Sequence, residues 1–347
     1  MNNSELKDPE NMLAAIAALP SDLKKAWELG LSLSLPDFPK INKIIISGMG
    51  GSAIGGDLFG NYLSTFTKIP VICHRGYDLP AWAEGEETLV ICSSHSGNTE
   101  ETLSSFHTAL EQYCSLLTIS TGGKLEEEAL ARGIPHWKFS HHGQPRTAIG
   151  WSFGLLLALA ERLGIVQNQK ETVEQACAVM LDQNARFHPE VPVMKNEPRR
   201  LAGQLLERNI LVFASGELEV VARRWKTQIN ENAKAWASFE GISEMNHNTL
   251  AGLVYPDFLF EKSSAIFLRS SYDHPRNQLR IDLSMQAFLE AGIAVDSVRA
   301  VGDCRLAEMF SLLQFGDYLS YYLALDYDVD PTPIEALNRL KQAISQN

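Results

Sequence analysis

Two glycine- and hydroxyl-rich segments, each set directly after an apolar run, carry the first chemistry in this chain. Gly48-Met49-Gly50-Gly51-Ser52-Ala53 follows the run Lys43–Ser47 and opens a helical pattern. Glycines there let a backbone approach a ligand closely, and the free N–H groups of a helix start favour an anion. Ser93-Ser94-His95-Ser96-Gly97-Asn98-Thr99 follows Thr88–Ser93 in the same way, with hydroxyls at Ser94, Ser96 and Thr99 around a second helix start. A sugar phosphate suits such segments, because hydroxyls and N–H groups hold its oxygens without a cluster of Lys or Arg. Each segment also has a plain reading. The first satisfies the GxGxxA dinucleotide fingerprint, but the strand that should end in an acidic residue ends in Cys73-His74-Arg75. It is otherwise a tight strand-to-helix turn, and the second is otherwise a capping box of Asn98 with Glu101.

Proton transfer needs a different set. Glu231 lies in Lys226-Thr227-Gln228-Ile229-Asn230-Glu231-Asn232-Ala233-Lys234, near the end of a helical pattern, and His247 lies between Asn246 and Asn248. A carboxylate and an imidazole are side chains that can take and return a proton where a reaction calls for it. A helix-end glutamate and a loop histidine without duties are the plain alternatives. His141 and His142 precede the turn at Gly143–Arg146, yet no third ligand at metal-site spacing accompanies them and no HExxH motif occurs. No metal and no cofactor is therefore expected. His95 is expected to point to solvent as a bystander in its loop.

These residues need a scaffold, and the hydrophobic pattern supplies one. Lys43–Ser47, Val71–His74, Thr88–Ser93, Leu116–Ser120 and His136–Phe139 read as strands, with helical patterns near Ser52–Ser64, Asn98–Gln112, Lys124–Arg132 and Ala148–Leu163. That alternation predicts a mainly parallel sheet covered on both faces. A helix and a proline-bearing linker follow. The alternation then resumes with strands at Asn209–Ser215, Ser264–Arg269 and Ile293–Arg299, and helices near Leu218–Lys234, Asn277–Glu290 and Cys304–Leu325. The expected fold is α/β, with two tandem domains of similar design. A helical segment spans 1–36, the first domain 37–165, a helix and linker 166–200, the second domain 201–327 and a C-terminal helix 328–347. That last helix, amphipathic over Thr332–Ser345, is expected to pack back onto the body.

Composition excludes other classes. The chain has 347 residues, enough for two sizeable cores. Its 30 Lys and Arg against 42 Asp and Glu leave a net charge of −12. No basic run offsets this, so neither a nucleic-acid nor an anionic-membrane surface is expected. Five cysteines without a CxxC pair read as free thiols of a reducing compartment. The N-terminus lacks a signal-peptide pattern and the apolar run near Gly150–Ala160 is too short to span a bilayer, so a cytoplasmic location is expected.

Taken together, GMGGSAIGG and SSHSGNTEET resemble a sugar isomerase (SIS) domain. With Pro145-Arg146-Thr147-Ala148, the NEN of Lys226–Lys234 and the NHN of Glu244–Asn248, the set is similar to the bifunctional phosphoglucose/phosphomannose isomerase family. The resemblance implies two tandem SIS-type domains and a cofactor-independent isomerase of glucose 6-phosphate, mannose 6-phosphate and fructose 6-phosphate. It implies that Gly51, Ser52, Ser94, Ser96 and Thr99 hold the substrate and that Arg146 lies near the sugar C1–C2 region. It further implies Glu231 as the proton-transferring base, His247 as the ring-opening residue from the partner of a homodimer, and Lys341 as the family's late lysine. Thr332 matches a threonine that makes room near C2, and Ala53 departs from a glycine common in the family. A phosphoglucose isomerase without mannose activity, or a non-catalytic SIS regulator, are the alternatives.

Overall fold

The structure is a computed structural model that describes residues 7–345. The first residues of the helical stretch expected before position 36 lie outside the described residues. The chain divides into two compact units, one formed by 18–181 with 302–310, the other by residues up to 17, 182–301 and those from 311 on.

In the first unit, α1 (Leu19–Ser32) precedes β1 (Lys43–Ser47), α2 (Gly50–Leu63), β2 (Val71–His74) and β3 (Thr88–Ser94). Then follow α3 (Glu100–Glu111), β4 (Ser115–Ser120), α4 (Gly123–Ala131), β5 (His136–Lys138) and α5 (Ile149–Arg162). The strands form one parallel sheet in the order β2-β1-β3-β4-β5. Every residue of β3 is buried, as are Ile44, Ile45 and Ile46 of β1. Strands covered on both faces read as continuous apolar runs, which is why they were legible. The apolar helix α5 is buried against α1: a Cβ on Gly154 would lie 2.7 Å from the carbonyl of Leu23, and one on Gly30 would lie 2.6 Å from the Cβ of Ala158. Small residues on both helices let the backbones approach and bury the run 150–160.

The second unit repeats the plan. β6 (Asn209–Ala214), α6 (Glu219–Asn232), β7 (Ala237–Gly241), β8 (Ser263–Arg269), α7 (Pro275–Glu290) and β9 (Ala294–Arg299) give a parallel sheet in the order β7-β6-β8-β9. They are followed by α8 (Arg305–Asp326) and α9 (Glu335–Ser345). α6 is locked to α8 by a fully buried ion pair. Arg224 Nε and Nη2 each donate at 3.1 Å to the Asp317 carboxylate, and the two side chains are 2% and 5% exposed. Trp225 adds a hydrogen bond to the Leu312 carbonyl at 2.8 Å and a stacked contact with Phe315.

Three expectations need correction. The sequence reading has no strand at β7, a half-buried edge strand. The expected linker ends in a helix, Glu197–Leu205, that crosses its boundary at 200; its start is capped by Asn196 and carries Pro198 in its first turn. Finally, α9 forms, but every residue from Glu335 to Ile344 is exposed, so it does not pack back as expected.

Candidate active site

Sheet topology decides where a ligand can sit in the first unit. From β1 the chain crosses to β2 on one side, whereas β3, β4 and β5 lie on the other. The carboxyl ends of β1 and β3 are thus the switch point, where open parallel sheets form a crevice. Both glycine- and hydroxyl-rich segments emerge there. They touch: a Cβ on Gly48 would come within 2.8 Å of the Ser93 carbonyl. Gly51 faces the turn Pro145–Thr147, where a Cβ would meet the Pro145 carbonyl at 2.7 Å and the Arg146 Cα at 3.5 Å. Gly51, with Ser52 beside it in the chain, thus lies against the backbone at Arg146.

The second segment folds around its hydroxyls. Ser94 Oγ lies 2.8 Å from Thr99 Oγ1 and accepts from the Gly97 N–H at 3.1 Å. Ser96 Oγ accepts from the Asn98 N–H at 3.2 Å. Gly97 has φ +68°, and a Cβ there would overlap the Gly122 carbonyl, so only glycine closes this loop. Thr99 occupies the N-cap of α3 without capping it, and Asn98 Oδ1 instead accepts from the Lys124 N–H at 3.1 Å. The capping box of Asn98 with Glu101 is thus not formed. The first turns of α2 and α3 have no side-chain cap, and hydroxyls lie beside them. Ser52 and Ser94 are buried, Thr99 is half-buried and Ser96 is exposed. Arg146 is buried, and its Nη1 donates to Gln144 Oε1 at 3.3 Å. This arrangement of N–H groups, hydroxyls and one guanidinium can hold a phosphorylated polyol.

His95 departs from the bystander expectation. It is half-buried, with Nε2 3.0 Å from His141 Nδ1 and its ring edge-on to Phe139. Burial, and then the neighbouring His141, push its imidazole down to about 4. Burial and His142 likewise lower His141. Among the described residues, no three His, Cys, Asp or Glu side chains gather as metal ligands.

Glu231 and His247 stand in the second unit on separate elements, each held by its neighbours. Glu231 is half-buried in the last turn of α6. Asn230 Nδ2 donates to the Ala235 carbonyl at 2.7 Å, and Asn232 Nδ2 to Ser320 Oγ of α8 at 3.0 Å. Lys234, at φ +57°, folds its Nζ back onto the carbonyls of Glu231, Asn232 and Pro331. A cation there satisfies the exposed end of the helix. The second motif uses the same device. Asn246 donates to Ser284 at 2.8 Å and accepts from Arg280 at 3.2 Å, both on α7. Asn248 donates to Glu244 Oε1 and accepts from the Thr249 N–H. The asparagines of NEN and NHN are thus structural pins, and His247 between its pair is exposed. Lys341 is exposed on α9, and Thr332 is buried. Sequence reasoning missed Asp273, a buried acid in the loop after β8, because nothing local marks it.

Comparison with known proteins completes the picture. Residues 194–344 match the model of the bacterial phospho-glucose isomerase C-terminal SIS domain. A bifunctional phosphoglucose/phosphomannose isomerase of Caldicellulosiruptor bescii is 39% identical over 337 residues, covering 96% of this chain and 99% of that protein. The chain belongs to this family. A second member, from Aquifex aeolicus, is 30% identical over 90% of this chain and 93% of its own length. Among solved structures, a hypothetical protein of Thermus thermophilus aligns with a TM-score of 0.74 at 15% identity, over 97% of this chain and 90% of its own. The C-terminal domain of a glucosamine-fructose-6-phosphate aminotransferase from Francisella tularensis aligns with a TM-score of 0.71 at 13% identity, over 96% and 100%. These two share the fold. Among the described residues, no helix is long and apolar enough to cross a membrane.

Proposed function

We propose that this family member interconverts glucose 6-phosphate and mannose 6-phosphate with fructose 6-phosphate, through a cis-enediol and without a cofactor, in the cytoplasm. The observation that carries the reading is the pair of uncapped, hydroxyl-lined helix starts at the switch point of the first sheet. Ser94, Ser96 and Thr99 bind the phosphate together with N–H groups of the two helix starts, and Gly51 lets the substrate approach the backbone. Ser52 adds a hydroxyl. Arg146 stabilises the oxyanion that develops near C1 and C2. Glu231 takes the proton from one carbon and returns it to the other, and both epimers share that carboxylate because both pass through one enediol. His247 opens the sugar ring, Lys341 supplies a cation late in the reaction, and Thr332 leaves room near C2 for either epimer.

His247 acts from the partner subunit of a homodimer in this reading. Its exposure supports that assignment, as does the apolar surface that follows it in the chain: Tyr255 is 80% exposed and Phe258 71%. Mixing inactive Glu231→Gln and His247→Ala proteins after subunit exchange should restore activity, because one site of the mixed dimer is complete. No recovery would mean that each chain finishes its own site. Assay of the purified protein on both aldose phosphates, with and without chelator, tests the whole proposal. Turnover of both, insensitive to chelator, is expected. Turnover of glucose 6-phosphate alone would support the monofunctional alternative, and binding without turnover the regulator.

A further inference from the structure

The phosphate loop and the arginine turn come from distant parts of the first unit, and one chain of hydrogen bonds links them. His95 Nε2 lies 3.0 Å from His141 Nδ1, His141 Nε2 lies 3.3 Å from Thr147 Oγ1, and Thr147 Oγ1 lies 2.8 Å from the Gln144 carbonyl. The last acceptor fixes every proton. A carbonyl can only accept, so Thr147 donates its hydroxyl hydrogen to Gln144 and must accept from His141 Nε2–H. A neutral His141 with its proton on Nε2 has a bare Nδ1, which accepts from His95 Nε2–H. The donors therefore all point one way, from the loop Ser93–Thr99 toward the turn Pro145–Thr147.

We propose that His95, His141 and Thr147 are positioning residues that hold the phosphate-binding loop in register with Arg146. This rests on the reading of Ser94–Thr99 as the phosphate cradle. The backbone at His95 is fixed independently, since Thr121 donates both its N–H and its Oγ1–H to the His95 carbonyl. Only the imidazole is left to reach toward the turn. Phe139 borders the pair, edge-on to His95 and stacked on Trp151. The lowered proton affinity of both imidazoles, caused first by burial, keeps them neutral near pH 7, as the chain of donors requires.

Two experiments decide it. Nitrogen-resolved NMR of the histidine rings in the wild-type protein at pH 7 should find both His95 and His141 neutral with the proton on Nε2. A proton on Nδ1 of either ring would overturn the chain, whatever the enzyme does. In the second experiment, His95→Leu should raise KM for glucose 6-phosphate and the inhibition constant of inorganic phosphate together, by about 3- to 10-fold, the worth of one neutral hydrogen bond. His95→Gln, which restores an N–H donor near the Nε2 position, should recover both constants. Wild-type constants in His95→Leu, or no recovery in His95→Gln, would overturn the positioning role. Failure of inorganic phosphate to inhibit wild-type protein would instead remove the cradle reading, with the NMR result still deciding the hydrogen-bond chain.

Discussion

The two sheets share one strand plan and treat its switch point in opposite ways. The order β2-β1-β3-β4 of the first unit recurs as β7-β6-β8-β9 in the second, so the ends of β6 and β8 correspond to those of β1 and β3. In the first unit this crevice is lined with hydroxyls and uncapped N–H groups. In the second it is filled from within. Asp273, buried in the loop after β8, accepts from Ser215 Oγ at 2.6 Å and from the Ser270 N–H at 2.8 Å. The same donors that could receive a phosphate there receive the protein's own carboxylate. In the proposed reading, one scaffold serves as an anion cradle in the first unit and, repeated, as a plugged support whose helix α6 carries Glu231 in the second.

The support depends most on the buried pair of Arg224 and Asp317. Asp317→Ala leaves the Arg224 cation buried without its carboxylate and should destabilise the second unit by about 3–5 kcal/mol, measured by denaturant unfolding. A loss below about 1 kcal/mol would show that α6 is held by its apolar contacts instead. On the cradle side, Ser96→Ala and Thr99→Ala should each weaken sugar-phosphate binding by about 1.5–3 kcal/mol, as loss of a hydrogen bond to a charged oxygen does. Neither side chain caps α3, so the melting temperature should hold. A melting drop with unchanged affinity would return both residues to structural duty.

The contrast itself can be tested by unplugging the second crevice. Asp273→Ala should lower stability by about 1–3 kcal/mol, because Ser215 and the Ser270 N–H lose their acceptor. Inorganic phosphate should then raise the variant's melting temperature more than the wild type's. Equal phosphate effects would break the correspondence between the two loops. The smallest effect concerns Asp22 in α1, whose carboxyl burial pushes up to about 6 against the offsetting Lys25 and Trp151. A raised folded-state value means that this group's contribution is largest at low pH and is lost as pH rises from its ordinary value near 3.8 toward about 6. Asp22→Asn should therefore stabilise the protein at pH 7.5 by about 1 kcal/mol after allowance for solvent screening, and have little effect near pH 4. Equal melting shifts at both pH values would contradict this.

Much of this was legible because it is local. The inner strands β1, β3 and β4 of the first sheet are buried on both faces and appear as apolar runs, and the two glycine- and hydroxyl-rich segments announce themselves by following β1 and β3. β7 was not legible, because Ala237–Gly241 is a five-residue edge strand with one large apolar side chain, Phe239, and no sustained apolar run. The helix Glu197–Leu205 carried a readable start in Asn196 and Pro198, which the surrounding prolines disguised as linker. Asp273 finds Ser215 across 58 residues and His95 finds His141 across 46, and no spacing rule reports side chains that meet through the tertiary fold. For α9 the amphipathic stripe was legible but its exposure was not, since a stripe says which face is apolar and not what covers it.

The central claim is that Glu231 shuttles the proton between C1 and C2, and Glu231→Gln tests it most directly. The amide keeps shape and hydrogen bonding but cannot accept the proton. Sugar-phosphate affinity should be retained, while turnover of glucose 6-phosphate and mannose 6-phosphate should fall together by at least about 10²–10⁴-fold. Exchange of the substrate C2 hydrogen with deuterated water, expected in the wild type, should vanish. Substantial turnover of either sugar by the variant, or persistent exchange, would contradict the assignment and turn attention to Glu244 beside His247.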